Sequence, residues 1–290
     1  MIFLICLIIK PIPVRFGAKQ VFHPGRASEG DSAVRDFQEK HEFFAVERRT
    51  LIAKDQAVLG ALYLTPGVMP TKSPPRGLLV YFQGGGSSSW GRLNALADSL
   101  QGLAIDILIF DYRGTGYSAL PADASKLMSD AELWLAETRR QLPPATPVIF
   151  YGVSMGSLFS VKLAQSQQID GLILESAITN LAQLIQGQIP WYARSFARLD
   201  LQPELAAFNN LLAWPVVVPP SLLLAGADDR LTPPEFSQAV QATFKQSSCS
   251  IMKVIPHAKH AELAEHAQAQ IAIRHFISNI LAKQQCGKTD

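Results

Sequence analysis

A serine between two glycines is the residue of this chain whose setting best permits covalent chemistry. The apolar run at 148–151 ends in Gly-Val-Ser-Met-Gly at 152–156, and a helix-like segment follows at once. The order strand, sharp turn, helix is what an exposed nucleophile at the end of a sheet requires. Because such a turn strains its central residue, only small neighbours fit beside it. The spacing predicts that the turn lifts the Ser154 hydroxyl out of a sheet, beside a backbone N–H.

A serine hydroxyl needs a base to take its proton and a carboxylate to orient that base. Two later loops supply both types of residue, each after an apolar run. Asp228 and Asp229 follow the run at 221–225, and His257 and His260 follow the run at 250–255. The residues alone leave open which aspartate and which histidine act with Ser154. The remaining histidines, His23, His41, His266 and His275, are interpreted as surface or packing residues.

The elements that must position these side chains follow from the hydrophobic pattern. Short, continuous apolar runs predict strands that are buried on both faces. They lie at 77–82, 105–110, 147–151, 171–174, 221–225 and 250–255. Two further strands, at 42–52 and 58–64, are predicted to pair through the turn at 54–56. Predicted helices alternate with the runs, at 90–100, 123–142, 154–167, 233–244 and 261–281.

This alternation predicts an α/β fold with a mostly parallel, doubly wound sheet. Ligands of such sheets bind at the carboxyl ends of the strands. Every candidate residue above follows a strand at that end, so we expect them to meet there.

Composition limits the functions this chain could have. Of its 290 residues, 48% are apolar and 17% are charged, which permits a large core and argues against global disorder. The net charge is +2 and the cations are scattered, so no nucleic-acid partner is expected. Three cysteines, Cys6, Cys249 and Cys286, are too few and too far apart for a disulfide framework or a zinc site. We expect no metal.

The first nine residues are wholly apolar, and Lys10 follows them. Nine residues cannot span a bilayer, which takes roughly 20. A signal peptide would carry a positive charge before the run and small residues after it, and neither is present. The alternatives are a degenerate export or anchor segment and a peripheral apolar tail. Peripheral membrane association through residues 1–9 is one expectation, and localisation stays open between cytoplasmic and membrane-associated.

The stretch from Pro11 to Lys40 is polar and is predicted to be loop-like. The domain organisation is therefore an N-terminal tail or anchor segment over 1–40, one domain over 41–284 and a C-terminal tail over 285–290. An insertion lies at about 176–215.

The chain resembles the α/β-hydrolase superfamily over a segment from about Leu78 to Glu262. Its run from 110 to 118, followed by the serine turn and by Leu174-Glu175-Ser176, is most similar to the Bem46/ABHD-type branch of serine hydrolases. The matching pieces are Phe82-Gln83-Gly84-Gly85-Gly86, Phe110-Asp111-Tyr112-Arg113-Gly114-Thr115-Gly116-Tyr117-Ser118, Gly152-Val153-Ser154-Met155-Gly156, Leu174-Glu175-Ser176, Gly226-Ala227-Asp228-Asp229 with Pro233, and His260.

The resemblance implies an α/β-hydrolase fold with a small helical cap insertion, and a Ser154, Asp229 and His260 triad. It implies an oxyanion hole made by the backbone N–H groups of Met155 and Gly85. It implies a carboxylic ester or thioester as the small-molecule substrate, and no cofactor. Asp228 and His257 then become a turn carboxylate and a strand-end or rim residue.

Two motifs near this site are interpreted as structural. The run from Asp111 to Gly116 lacks the Gly-x-Gly-x-x-Gly spacing of a dinucleotide site, so Asp111 and Arg113 are expected to be held in hydrogen bonds. Glu175 is interpreted as a structural carboxylate at a strand end.

The insertion carries many large apolar residues, of which eight are candidates for a cap. They form either an apolar cap over a pocket or a helix packed on the sheet with its aromatics in the core, and the sequence does not choose between these. The residues are Leu181, Leu184, Ile185, Ile189, Trp191, Tyr192, Phe196 and Trp214.

Three departures from the family pattern support an alternative class. Gln83 and Ala225 stand where the family often has His, and Lys259 stands where it often has Gly before the base. A cation beside His260 would disfavour the imidazolium and could crowd the loop. The alternative is therefore a non-catalytic ligand- or partner-binding protein. A serine aminopeptidase would need an acidic group in the cap, for which Asp200 and Glu204 are the candidates.

Overall fold

The computed structural model describes residues 12–22, 27–67, 77–118, 121–212, 218–244 and 249–284. The apolar run at 1–9, Trp214 and the tail at 285–290 lie outside these ranges. The strands, in chain order, are β1 (Ile12–Phe16), β2 (Phe44–Ile52), β3 (Val58–Pro66), β4 (Leu78–Phe82), β5 (Asp106–Phe110), β6 (Val148–Val153), β7 (Gly171–Glu175), β8 (Ala197–Leu201), β9 (Ser221–Gly226) and β10 (Ser250–Ile255).

The helices alternate with the strands from β4 onward, as the pattern predicted. They are α1 (Ala18–Val21), α2 (Ala27–Lys40), α3 (Leu93–Leu100), α4 (Leu127–Arg140), α5 (Met155–Ala164), α6 (Leu181–Gln188), α7 (Pro203–Ala206), α8 (Pro234–Gln241) and α9 (Ala267–Leu281). Short 3₁₀ helices cover Ala124–Lys126, Trp191–Phe196 and Leu263–Glu265. None of the helices in the described ranges is both long and apolar enough to cross a membrane.

Eight strands form one sheet in the order β10-β9-β7-β6-β4-β5-β3-β2. The six strands from β10 to β5 are parallel, and the hairpin of β2 and β3 continues the sheet in antiparallel pairing. The predicted α/β-hydrolase fold, with a mostly parallel sheet, is therefore confirmed. The carboxyl ends of β4, β6, β7, β9 and β10 lie at one edge.

The central strands are buried on both faces because alternate side chains enter two different cores. On β4, Leu78, Val80 and Phe82 pack in one core, and Leu79 and Tyr81 pack in the other. All five side chains are buried. Because both faces of the strand are buried, its sequence is a continuous apolar run and does not alternate between apolar and polar residues.

The prediction of a loop-like stretch from Pro11 to Lys40 is wrong for its described part. Residues 12–16 form β1, which pairs in parallel with β8 of the insertion, and α2 occupies residues 27–40. Phe22 and Phe37 are buried, one in each core. The stretch looked polar because single aromatic residues attach an otherwise exposed segment to the domain.

Cys249, directly before β10, is disulfide-bonded. The wide separation of the three cysteines along the chain did not predict this bond, because sequence separation does not set distance in a folded chain.

Candidate active site

Ser154 lies in the turn between β6 and α5 with a backbone φ of 51° and ψ of −116°. This left-handed region is strained for a residue with a side chain. The two flanking glycines are required by space. A Cβ on Gly152 would lie 2.3 Å from Ser160 Oγ, and a Cβ on Gly156 would lie 2.0 Å from the carbonyl oxygen of Phe82. The sequence therefore builds the predicted elbow through close backbone approach on both sides of Ser154.

His260 lies within hydrogen-bond distance of both other members of the predicted triad. Its Nε2 is 2.9 Å from Ser154 Oγ, and its Nδ1 is 2.9 Å from Asp229 Oδ2. With the proton on Nδ1, the ring donates to the carboxylate and Nε2 accepts from the serine hydroxyl. The Asp229 side chain is fully buried, whereas that of His260 is about a quarter exposed, which leaves the imidazole accessible beside the serine.

The loop after β9 holds Asp229 in one orientation. The backbone N–H groups of Leu231 and Thr232 donate to Oδ1, and the Thr232 hydroxyl donates to Oδ2 at 2.7 Å. Burial acts to raise the pKa of Asp229, but the hydrogen bonds from His260 and Thr232 outweigh it and keep that pKa below its usual value. Asp229 is thus maintained as a carboxylate beside the imidazole.

Thr232 is a site residue that the sequence analysis missed. Besides its bond to Asp229, its buried hydroxyl lies 3.0 Å from His260 Nδ1. The sequence contained a signal for this role, because an aspartate followed three positions later by a hydroxyl residue commonly forms a local hydrogen-bonded turn.

The neighbouring candidates Asp228 and His257 lie away from the serine. They approach each other to 3.8 Å, and both side chains are more than half exposed. The structure thus brings Asp229 and His260 to Ser154 and leaves their neighbours at the surface.

The predicted oxyanion hole consists of the backbone N–H groups of Met155 and Gly85. Met155 is the first residue of α5, and Gly85 lies in the loop after β4. Within the described residues, neither N–H donates to a protein acceptor. A Cβ added to Gly84 would lie 3.6 Å from the Cβ of Ser154, so this loop passes directly beside the serine. The start of α5 adds the positive end of a helix dipole.

Asp111 anchors that loop, as its structural interpretation predicts. Its buried carboxylate accepts from the Ser89 N–H, the Ser89 hydroxyl, the Tyr117 N–H and the Gln83 side-chain amide. Burial raises the pKa of Asp111 against the effect of these donors. Gln83, which stands where the family often has His, therefore serves the scaffold of the loop.

Arg113 is also structural. Its guanidinium bonds to both carboxylate oxygens of Asp130 and to Asp55 in the β2–β3 turn.

Glu175, at the end of β7, is fully buried and connects three elements. Its carboxylate accepts from Arg92 at 3.1 Å, from the Tyr151 hydroxyl at 2.6 Å and from the Leu263 N–H at 3.1 Å. Its backbone oxygen accepts from the Ser154 N–H at 2.8 Å. This carboxylate therefore links the serine strand to the loop that follows His260.

Ser176 and Lys259 complete the surroundings of the histidine. The Ser176 hydroxyl accepts from the Ala261 N–H at 3.1 Å, next to His260. Lys259 is exposed. Since both hydrogen bonds of His260 form, the crowding considered for Lys259 does not occur.

The insertion at 176–215 contains α6, a 3₁₀ helix, β8 and α7. Neither interpretation of its apolar residues describes all of them. Leu181 is buried in the core, whereas Trp191, Tyr192 and Phe196 are exposed to solvent. No cluster of three or more potential metal ligands occurs in the described part of the chain.

Comparison with known proteins places this geometry in context. The family described as Serine aminopeptidase matches residues 73–207. The uncharacterized protein Rv2307c of Mycobacterium tuberculosis is 29% identical over 63% of this chain. Protein bem46 of Schizosaccharomyces pombe is 24% identical over 65% of this chain. These matches span 63% and 62% of the length of the two relatives.

Solved structures with the same fold include an esterase and a cyclase. The Pyrococcus furiosus esterase Pf2001 superposes with a TM-score of 0.65 at 17% identity, over 92% of this chain and 99% of that one. Vibralactone cyclase superposes with a TM-score of 0.64 at 16% identity, over 89% of this chain and 88% of that one. At these identities the likeness concerns the fold.

Proposed function

We propose that this chain, an α/β-hydrolase of the Bem46-like branch, is a serine hydrolase that cleaves carboxylic esters or thioesters through an acyl-enzyme. Ser154 is the nucleophile, His260 the base and acid, and Asp229 the residue that orients the base. No cofactor is required by this chemistry.

The observation that carries the proposal is the unbroken hydrogen-bonded series from Ser154 through His260 to Asp229. Both links are 2.9 Å, within the range at which a proton moves between such groups. The strained φ of Ser154 supports the same proposal, because strain of this kind is concentrated where a reactive group must be presented.

The reaction proceeds in two balanced halves. Ser154 Oγ attacks the acyl carbon while its proton passes to His260 Nε2, and the resulting imidazolium is stabilised by the Asp229 carboxylate. The carbonyl oxygen becomes an oxyanion. When the bond to the alcohol or thiol breaks, His260 returns the proton to the leaving group. Water then attacks the acyl-serine with His260 as base, which releases the acid and restores the hydroxyl of Ser154.

The oxyanion of each half-reaction is bound by the N–H groups of Met155 and Gly85. Loss of one such donor typically costs about 10²- to 10³-fold in kcat. Three observations support the proposal: Met155 directly follows Ser154, the backbone at Gly84 passes beside Ser154, and neither N–H has a competing acceptor within the described residues.

Labelling of the full chain by a fluorophosphonate probe tests the proposal. We expect labelling and ester turnover in the wild type, and neither in Ser154→Ala. Ser166→Ala is the matched control, because this exposed serine follows the same helix. Normal turnover by Ser154→Ala would refute the assignment. Folded wild-type protein that neither labels nor turns over would favour the non-catalytic alternative.

A serine aminopeptidase is the second candidate, favoured by the description of the matching family. It requires a carboxylate that holds the substrate amine. Asp200 is exposed and lies 3.6 Å from Arg15, and Glu204 is exposed in α7. A panel of esters and aminoacyl amides separates the candidates, and faster turnover of the amides than of matched esters would overturn the esterase proposal.

A further inference from the structure

Two residues near the proposed triad share the unusual backbone conformation of Ser154. Ser176, directly after β7, has a φ of 51°, and Ala261, directly after His260, has a φ of 54°. Few residues with a side chain adopt this left-handed region, and they keep it only where their surroundings hold them there. Such strain is concentrated at functional sites, so the contacts that hold Ser176 and Ala261 indicate what their conformation is for.

Ser176 is fully buried, and its hydrogen bonds reach two other elements of the site. Its N–H donates to the carbonyl oxygen of Leu224 on β9, the strand before the acid loop, at 2.9 Å. Its hydroxyl oxygen accepts from the Ala261 N–H at 3.1 Å. The carbonyl oxygen of the preceding residue, Glu175, accepts from the Ser154 N–H. This short segment therefore contacts the nucleophile turn, the strand of the acid and the loop of the base.

The loop that carries His260 has few other hydrogen bonds along its backbone. The carbonyl oxygen of Ala258 accepts from the acid loop, and the Leu263 N–H donates to a buried carboxylate. Of the backbone N–H groups between Ala258 and Leu263, only that of Ala261 donates to another described residue. The Ser176 hydroxyl therefore fixes the loop backbone at the position next to the imidazole.

We propose that Ser176 is a positioning residue, whose hydroxyl keeps the His260 imidazole in line with its two triad partners. This inference rests on the proposed function. Without the hydroxyl, the backbone at Ala261 can relax from its left-handed conformation to one that alanine prefers, and the adjacent imidazole moves with it. Because the ring depends on two 2.9 Å bonds, a displacement of about 1 Å breaks at least one of them and can cost about 10²-fold in rate.

The position of the ring is most critical in the second half of the reaction. In the resting site the Ser154 hydroxyl donates to His260 Nε2, so the ring is held on both sides. In the acyl-enzyme, Ser154 Oγ is esterified and has no proton to donate. The ring then keeps only its bonds at Nδ1 while it must take a proton from the attacking water. Loss of the Ser176 hydroxyl should therefore slow deacylation more than acylation.

Two substitutions separate this role from simple support of the fold. Ser176→Ala removes the hydroxyl, and Ser176→Gly removes it and also adopts a φ of 51° without strain. Ser176→Gly should therefore have a higher midpoint of urea unfolding than Ser176→Ala. Both variants should nevertheless lose activity to the same extent, because neither can accept a hydrogen bond from the Ala261 N–H.

Pre-steady-state hydrolysis of p-nitrophenyl acetate by the full chain measures the two half-reactions separately. We expect the deacylation rate of both variants to fall about tenfold, and the acylation rate, measured from the burst of p-nitrophenol, to fall less than about threefold. The rate of labelling by the fluorophosphonate probe should follow the acylation rate, because labelling requires only the first attack. In steady state, the slower deacylation should lower kcat and KM together.

Ser221→Ala is the matched control. Ser221 is also fully buried, and its hydroxyl donates to the Pro219 carbonyl oxygen at 2.8 Å. It is the first residue of β9, so it lies at the amino end of that strand, away from the site. The substitution should lower the midpoint of urea unfolding and leave both half-reactions within about twofold of the wild type.

Two results would overturn the inference. One is a deacylation rate in both Ser176 variants that equals that of the wild type. The other is a loss in Ser176→Ala that Ser176→Gly does not share, since backbone strain and not the hydrogen bond would then be its cause. An inactive wild type would end the proposed function and this inference together, whereas an active wild type with unaltered Ser176 variants would end this inference alone.

Discussion

The end of β7 and the loop after β9 each carry a buried carboxylate near Ser154, yet the two have different partners. Glu175 is paired with Arg92, whose charge is permanent. Asp229 is bonded to His260, whose charge changes, and to the uncharged donors of the 231–232 segment. Burial and position at the sheet edge therefore do not distinguish the proposed catalytic carboxylate of Asp229 from the structural carboxylate of Glu175. The partner does, because only a carboxylate without a fixed cation can respond to a charge that forms on the imidazole.

Among the variants that test this comparison, Asp229→Asn is expected to have the largest effect, which is on kcat. The amide cannot stabilise an imidazolium and favours the wrong tautomer of His260, so kcat should fall by about 10⁴-fold. Ester hydrolysis in steady state measures the loss. Asp228→Asn is the control, because Asp228 is largely exposed, and its activity should stay near that of the wild type. A greater loss in Asp228→Asn than in Asp229→Asn would reverse the assignment.

Glu175→Gln should act mainly on stability. It leaves the mostly buried Arg92 with only the exposed Glu265 carboxylate, at 3.7 Å, as a counter-charge, which should cost about 2 kcal/mol or more of unfolding free energy. Asp229→Asn, which removes one partner of a bond to a neutral ring, should cost about 1 kcal/mol. Urea unfolding of both variants measures these two losses of unfolding free energy.

Arg92→Met in the Glu175→Gln background should recover part of the lost stability, because the cation that has lost its buried partner is then removed. If the double variant is no more stable than Glu175→Gln, the ion pair is not the origin of the loss.

Low pH should have a smaller effect, a loss of stability through protonation of the Asp229 carboxylate. Its pKa is lower in the folded protein than in the unfolded chain, so its charge stabilises the fold above the unfolded value of 3.8. That contribution is lost as the pH falls through the folded pKa. As the pH falls below about 5 and through the lower folded pKa, the wild type should lose stability that Asp229→Asn does not lose. Parallel pH dependence of urea unfolding in the two proteins would contradict this.

The smallest effect is expected from Lys259→Gly. The side chain is exposed, so its charge is screened by solvent, and kcat should change by no more than about twofold. A pH–rate profile measures any shift in the base. An increase of an order of magnitude would mean that Lys259 does restrain His260.

The order of elements from β2 onward and the turn at Ser154 could be predicted because both depend on neighbouring residues. An apolar run of five or six residues, a pair of glycines around Ser154 and the helix-like segment that follows them are all local. The N-terminal elements could not be predicted in this way. Phe22 and Phe37 are single buried residues in polar surroundings, and β1 exists only because β8, nearly two hundred residues later, pairs with it.

The same distinction applies to the site. Asp229 and His260 could be chosen over Asp228 and His257 only through the family resemblance. Both aspartates follow one strand and both histidines follow another, so position along the chain does not separate them. The sequence analysis missed Thr232 and gave Glu175 only a general structural role, because the importance of both residues depends on the atoms that they contact.

The sequence by itself determined the α/β class, the strand-turn-helix that presents Ser154, and the edge of the sheet at which its partners must lie. Tertiary structure decided which side chains meet there. Ser154 and His260 are 106 residues apart, and Glu175 and Arg92 are 83 apart. Such contacts depend on the order of the strands in the sheet and on the course of each loop. Local propensity does not encode either, because many residues distant in sequence contribute jointly to the packing that sets them.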